Sequence, residues 1–330
     1  MINGYGRIGR LLHRMTWADK SLNIAAINSR ATAENHAYLL KYDSTYGKFD
    51  QGVTFTENTL SVNGQVTKVF IDKNPGDIDL KRENIDVVIE CTGKFKDRAS
   101  CELQLKAGAK KVIISAPGKG EDICIVVGVN SKKYEPKKHH IISNASCTTN
   151  CLAPVVATLD REFGLTHAFM TTIHAVTRSQ TPVDASSDKD LRKGRGFVDS
   201  FIPTTTGSDS AIGMIFPHLD GKIKATAVRV PFSTVSLIDL VGKLKKKVDE
   251  TTVNKAFEKA GKTYLKGILG ISYEPLVSVD YKKDERSAII DALSTTVLSG
   301  DSVKVFAWYD NEWAYTKRLY DLTKLVASQM

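Results

Sequence analysis

The sequence predicts an α/β protein. It has a Rossmann doubly wound dinucleotide-binding domain and an α+β catalytic domain with a mostly antiparallel sheet. Three observations predict this. A Gly-x-Gly-x-x-Gly pattern, Gly4-Tyr5-Gly6-Arg7-Ile8-Gly9, stands at the head of a β-α-β unit, with a helical period over Ile8–Trp17 and a strand over Asn23–Asn28. Continuous apolar strands then alternate with helical segments: Ile85–Cys91, Lys111–Ser115, Ile123–Val129 and His139–Ser143. Past the middle of the chain the pattern changes to long amphipathic strands with few helices between them: Thr166–Val176, Ala225–Leu240, Ile289–Val297 and Lys304–Trp308. The expected division is residues 1–146, completed by a C-terminal helix at 315–330, and residues 147–314.

In the opening turn, glycines at 4 and 6 allow a tight bend and close approach of a pyrophosphate, and Gly9 allows helix and strand to pack closely. The helix N-terminus offers N–H groups to phosphate. Gly4, Tyr5, Gly6, Arg7 and Ile8 are therefore expected to bind a cofactor. Only Met1 and Ile2 precede the turn, where a strand of about 4–6 residues is usual. The second strand ends in Asn28-Ser29-Arg30. An acidic residue there would favour NAD, whereas a hydroxyl followed by a guanidinium suits the 2′-phosphate of NADP. Asn63-Gly64 inside the β-rich stretch Val53–Ile71 signals a hairpin. Thr92-Gly93 ends the next strand, an edge suited to cofactor contact.

The stretch Ser143-Asn144-Ala145-Ser146-Cys147-Thr148-Thr149-Asn150-Cys151 lies between the strand and a helical run, Leu152–Phe163. Cys147 is expected in the first helical turn, where N–H groups and the positive end of the dipole favour a thiolate. Cys151, one turn later, reads as a buried spectator. His174 closes a strand; a histidine so placed is ordinarily a polar strand end, and spacing by itself does not pair it with the thiol. In the second half Glu250–Lys259 is the clearest helix, and Tyr315–Ala327 the last.

Composition is that of an ordinary globular protein, 42% hydrophobic and 25% charged. No apolar run approaches the roughly 20 residues of a membrane span, and the glycine-rich turn comes too early to leave room for a signal peptide. Five cysteines, an odd number without metal-type clustering, fit a reducing cytoplasm, and no metal is expected. The net charge of +9 comes partly from clusters such as Lys132-Lys133 and Lys245-Lys246-Lys247. They lack the interleaved aromatics of a nucleic-acid face and read as solvated surface, with part of the excess able to attract anionic substrates.

Ser146-Cys147-Thr148-Thr149-Asn150-Cys151-Leu152-Ala153-Pro154 resembles the active-site signature of phosphorylating glyceraldehyde-3-phosphate dehydrogenases, and the resemblance runs from Ile2 to the C-terminus. It implies oxidation of glyceraldehyde 3-phosphate to 1,3-bisphosphoglycerate with NADP or NAD and inorganic phosphate. Cys147 would be the nucleophile and His174 its partner. By motif position Thr177, Arg195 and Arg229 would hold the substrate phosphate, and Ser146, Thr148, Thr206 and Gly207 the attacking one. Lys73, Thr92, Ser115, Asn311 and Tyr315 would line the dinucleotide site, with Asn311 on the carboxamide. The loop from Thr177 to Arg195 resembles one that reaches a neighbouring subunit's cofactor, where Ser187 could meet a 2′-phosphate. NAD-specific members carry Asn-Asp where this chain has Asn28-Ser29, so NADP is expected to be accepted. The family also implies a cytoplasmic homotetramer. The rival is erythrose-4-phosphate dehydrogenase, a related enzyme; a cofactor-free thiol acyltransferase would leave the Gly4-Gly6-Gly9 turn unexplained.

Overall fold

The computed structural model describes residues 1–74, 76–187 and 190–330. Two compact units result. One comprises Met1–Ile125, Asn130–Ser146 and Thr316–Met330, the other Val126–Val129 and Cys147–Tyr315.

The first unit runs β1 (Ile2–Asn3), α1 (Arg7–Thr16), β2 (Ala26–Asn28), α2 (Ala33–Lys41), a small hairpin β3 (Tyr42–Asp43) and β4 (Gly47–Lys48), then β5 (Val53–Phe55), β6 (Thr59–Val62), β7 (Gln65–Phe70), β8 (Val87–Glu90), α3 (Arg98–Lys106), β9 (Lys111–Ile114), β10 (Ile123–Cys124) and β11 (Ile141–Ser143). The sheet order is β10-β11-β9-β8-β1-β2-β7-β6-β5. Strands from β10 to β7 pair in parallel, and β5 and β6 add an antiparallel edge. This is the dinucleotide-binding strand order, whose direction reverses between β1 and β8. β1 has only two residues, yet it pairs on both sides, Ile2 with Ile27 and with Ile89. The expected hairpin forms at Asn63-Gly64, both with positive φ, the geometry of a tight primed turn. The strand expected over Ile123–Val129 stops at Cys124, and Val126–Val129 groups with the second unit. Val88, Val112, Ile114, Ile141 and Cys101 pack into the core on one face of this sheet.

The second unit runs α4 (Cys147–Phe163), β12 (Leu165–Ala175), β13 (Ile202–Thr205), α5 (Ser208–Ile215), β14 (Ile223–Val230), β15 (Ser236–Leu244), α6 (Glu250–Lys262), β16 (Leu269–Ser272), β17 (Ala288–Asp291), β18 (Thr296–Leu298), β19 (Ser302–Tyr309) and the start of α7 (Trp313–Ala327). Its sheet order is β13-β14-β12-β15-β19-β17-β16, with β18 on β19. Pairing is antiparallel except for β12 with β14 and β16 with β17. The fold class expected from the sequence therefore holds, but two strands need correction. Ala225–Leu240 is two strands, because Pro231 has no N–H for the ladder and the chain turns through Val235 at φ 68°. Ile289–Val297 is likewise broken by a 3-10 turn at Ala292–Ser294. β13 and α5, which carry no strong period, were not foreseen.

Beneath the glycine turn lies a buried polar cluster. The Tyr5 hydroxyl sits 2.7 Å from His13 Nδ1, and His36 meets the Tyr5 ring edge-on at 5.2 Å. Burial pushes both His13 and His36 down to about 4, with the Arg10 charge adding to the effect on His36. An unfolded histidine takes a proton near pH 6.5, so between pH 6.5 and 4 the unfolded chain binds more protons and acid destabilises the fold. The melting temperature is expected to fall as pH drops through that window, and to fall less in the double variant H13F/H36L; equal falls would exclude these histidines as the cause.

Candidate active site

Cys147 is the first residue of α4 and half-buried. The chain reaches it through Ala145, a fully buried residue held at φ 55°, a strained turn of the kind that persists where surrounding structure fixes it. His174 lies near the end of β12, and Arg229 is its register partner on the parallel neighbour β14. The Cys147 Sγ is 3.3 Å from His174 Nε2. On the far side of the ring, Nδ1 lies 2.6 Å from the Ala175 carbonyl and 2.5 Å from Arg229 Nη1, which also donates to that carbonyl at 3.1 Å. A guanidinium only donates. With Arg229 donating to Nδ1, the ring proton sits on Nε2 and faces the sulfur. With Nδ1–H donating to Ala175, the Nε2 lone pair faces the sulfur and takes its proton. Arg229 thus bears directly on where the shared proton lies.

Burial pushes the Cys147 thiol up, against the opposing pull of Arg229 and of the Thr148 hydroxyl and N–H. The acidification expected at the helix start is thus outweighed by burial. His174 is pushed down to about 3, by burial first and Arg229 second. Each group resists becoming charged alone. Moving the proton from sulfur to Nε2 charges both at once, at contact distance and without change of net charge, so the pair is the unit that titrates.

Behind the pair a directed chain of hydroxyls closes the site. Thr172 Oγ1 donates to the Leu237 carbonyl at 3.0 Å, so Tyr309 donates to Thr172 at 2.9 Å and Thr148 donates to Tyr309 at 3.0 Å. The Thr148 hydrogen therefore has two claimants, Tyr309 and the sulfur, both inside the site. The Asn311 side-chain oxygen accepts from Ser236 Oγ at 3.0 Å.

The other residues expected at phosphate make local contacts. Thr177 donates to Gln180 Oε1 at 2.9 Å, Arg195 pairs with Asp184 at 3.1 Å on an exposed surface, and Thr206 shares a hydrogen bond with Ser208 at 2.9 Å. Thr206 and Gly207 lead into α5 from β13, whose Ile202 pairs with Arg229. Ser146 ends the Asn130–Ser146 segment of the first unit, immediately before the helix. Ser187 is half-buried; its neighbours Asp188 and Lys189 lie outside the described residues, as does Pro75 of the Lys73-Asn74-Pro75 segment.

In the first unit the turn fits a dinucleotide's phosphates. Gly4 has φ 94° and a Cβ there would lie 2.5 Å from the Thr92 nitrogen; a Cβ on Gly9 would lie 2.5 Å from the Gly4 carbonyl oxygen. A Cβ on Gly6 would meet nothing within 4 Å, and Gly6 caps α1 without a side chain. The space above Gly6 at the helix N-terminus is the cradle a pyrophosphate needs. Tyr5 turns its side chain into the core, leaving its backbone for a ligand, and Arg7 pairs with Asp43 at 2.6 Å. Asn28 is used internally, donating to Asn3 at 2.9 Å and to the Asp72 carbonyl at 3.1 Å. Glu90 accepts from Asn3 at 2.5 Å and from the Thr92 N–H and hydroxyl, which shapes the strand edge at Thr92-Gly93. The Ser115 N–H donates to the Glu90 carbonyl, next to that edge. Ser29 is half-buried, whereas Arg30 and Lys73 are exposed and have no hydrogen-bond or ion-pair partner among the described residues.

Two family models match the chain: glyceraldehyde 3-phosphate dehydrogenase, NAD binding domain, over residues 1–98, and glyceraldehyde 3-phosphate dehydrogenase, C-terminal domain, over residues 146–311. The chain belongs to the glyceraldehyde 3-phosphate dehydrogenase family. It is 48% identical over 329 residues to glyceraldehyde-3-phosphate dehydrogenase 2 of Bacillus subtilis (strain 168), covering all of this chain and 96% of that one. It is 47% identical over 328 residues to the glyceraldehyde-3-phosphate dehydrogenase of Geobacillus stearothermophilus, covering 99% and 98%. A Streptomyces avermitilis relative, glyceraldehyde-3-phosphate dehydrogenase 2, is 46% identical over 330 residues, covering 100% and 98%.

Sequence reasoning did not single out two residues that hold the candidate site residues, Tyr309 and Ser236. Both act through hydrogen bonds between strand ends that no local pattern announces. Among the described residues no group of three or more His, Cys, Asp and Glu is placed to hold a metal, and no helix is long and apolar enough to cross a membrane. Arg229 acts on the sulfur both by its charge, which favours the thiolate, and by its bond to Nδ1, which withholds the base form of His174, so Arg229→Gln is expected to shift the pH midpoint of Cys147 alkylation by iodoacetamide, upward where the charge is the larger effect and downward where the bond is. An unmoved midpoint would show that the guanidinium does not act on the sulfur.

Proposed function

We propose that the protein is a phosphorylating glyceraldehyde-3-phosphate dehydrogenase using NAD(P), with Cys147 and His174 as its catalytic residues. The observation that carries this is the 3.3 Å contact of Cys147 Sγ with His174 Nε2 at the start of α4, in a chain of this family. The thiolate formed by proton transfer to Nε2 adds to the aldehyde carbon, and the resulting alkoxide takes that proton back from Nε2, giving a thiohemiacetal on Cys147 and a neutral ring. When bound, the nicotinamide dinucleotide accepts the hydride. His174 takes the hydroxyl proton as the carbon becomes a thioester, then serves as the acid that returns a proton to the sulfur when inorganic phosphate attacks the acyl carbon and breaks the carbon–sulfur bond, releasing 1,3-bisphosphoglycerate. The Cys147 N–H at the helix start and the protonated ring stabilise the developing oxyanion.

Arg229, with Thr177 and Arg195, holds the substrate phosphate in this reading. Ser146, Thr148, Thr206 and Gly207 serve the attacking phosphate in the same reading. Engagement of Arg229 by a phosphate anion withdraws it from His174 Nδ1 and leaves Nδ1–H to the Ala175 carbonyl, the arrangement in which Nε2 is a base. Gly4 to Ile8, Asn28, Ser29, Thr92, Gly93 and Ser115 would hold the dinucleotide, Lys73 would serve its adenine, and Asn311 and Tyr315 its nicotinamide. Arg30, exposed and without a partner among the described residues, supports acceptance of a 2′-phosphate, and Ser187 adds a hydroxyl to it from a neighbouring copy. A cytoplasmic homotetramer belongs to the same reading.

Cys147→Ser is expected to abolish turnover while dinucleotide binding, followed by fluorescence quenching, stays within a factor of about two; oxidation at the wild-type rate would remove the nucleophile from its role. NADP is expected to support kcat/KM at least comparable to NAD, and Ser29→Asp to shift the ratio toward NAD by about tenfold or more. A strong NAD preference in the unaltered protein would overturn the role given to Ser29 and Arg30. Turnover of erythrose 4-phosphate exceeding that of glyceraldehyde 3-phosphate would favour the rival substrate.

A further inference from the structure

Strand β15 begins at Ser236, opposite Tyr309 at the end of β19. One step beyond the Ile173–Leu237 pair of β12 and β15, the same register sets Ser236 beside His174. The Ala175 N–H donates to Ser236 Oγ at 3.1 Å, and Ser236 Oγ donates to Asn311 Oδ1 at 3.0 Å. A backbone amide only donates, so the single Ser236 hydrogen is available to Asn311. Both side chains are at least nine-tenths buried. Two residues earlier, Thr234 donates to Asp310 Oδ1 at 2.9 Å. Residues 234 and 236 therefore hold residues 310 and 311 in turn. Between them Val235 is kept at φ 68°, a conformation a β-branched residue avoids, inside an apolar cluster with Tyr281 and Ile289. Such a backbone survives only where its surroundings fix it.

We propose that Ser236 is a positioning residue for the dehydrogenase reaction. It locks the Asn311 amide with its oxygen inward and its Nδ2 outward, and ties that amide to the strand end carrying His174. The outward Nδ2, which has no protein partner among the described residues, is then a fixed donor for the carbonyl oxygen of the cofactor's carboxamide. A nicotinamide ring gripped in this way would be held in register with the imidazole that takes the proton. This rests on the reading that Asn311 meets the carboxamide.

The test compares KM and kcat for NAD (or NADP, whichever the enzyme prefers) and its 3-acetylpyridine analogue, which keeps the carbonyl and lacks the amide nitrogen, in the wild type, Ser236→Ala, Asn311→Asp and Asn311→Ala. The wild type is expected to show KM values for the two dinucleotides within about threefold, since only the carbonyl is gripped. Ser236→Ala is expected to raise both KM values by about tenfold, the scale of a lost buried hydrogen bond, while Cys147 alkylation in cofactor-free enzyme stays within about twofold of wild type. Ser236→Thr should restore KM. Asn311→Asp, nearly isosteric but presenting an acceptor outward, should raise both KM values at least as much; it keeps the test alive if Ser236→Ala does not fold. Ser236→Ala should add nothing in an Asn311→Ala background. An unchanged KM in Ser236→Ala, a tolerated Asn311→Asp, or a full Ser236→Ala effect on top of Asn311→Ala would overturn the proposal. An unchanged KM in Asn311→Ala would instead sink the reading of Asn311 beneath it.

Discussion

Everything in the second unit serves one contact, a thiol 3.3 Å from an imidazole nitrogen. Neither group is chemically ready in isolation. Burial raises the proton affinity of the thiol and lowers that of the ring, so each opposes the charge the reaction needs from it. The two become ready only together, by passing one proton across the gap, and that exchange demands fixed geometry.

The geometry is fixed by a row of strand neighbours. Ile202, Arg229 and His174 are register partners on β13, β14 and β12, and Ser236 with Tyr309 continues the row on β15 and β19. Five strands thus present side chains along one line, and α4 delivers the sulfur to that line. Each member constrains the next: Arg229 bears on the ring's Nδ1, Tyr309 receives Thr148, and Ser236 holds Asn311. Strands are better suited to this than loops, because the ladder's hydrogen bonds hold several side chains in register at once.

The parts legible in the sequence were those with local causes. The Gly4-Gly6-Gly9 turn is required by close backbone approach within a few residues, and Asn63-Gly64 by the twist of its own hairpin. Cys147 at a helix start follows from the change of period around it. The row itself was not legible, because parallel pairing of β12 with β14 is made across β13 and α5, far apart in sequence. The break at Pro231 could have been read from the missing N–H, but apolar alternation on both sides masked it. Resemblance supplied His174 and Arg229 as separate residues; only the strand register shows that they touch.

The central claim is that His174 moves the proton for the sulfur and for the hydride step. Its most direct test is the pre-steady-state burst of reduced dinucleotide on mixing enzyme with aldehyde, without inorganic phosphate, in wild type and His174→Asn. The account predicts one equivalent of reduced cofactor per active site in the wild type and a burst slowed by about a hundredfold or more in the variant. A burst of wild-type rate and amplitude in His174→Asn would contradict it.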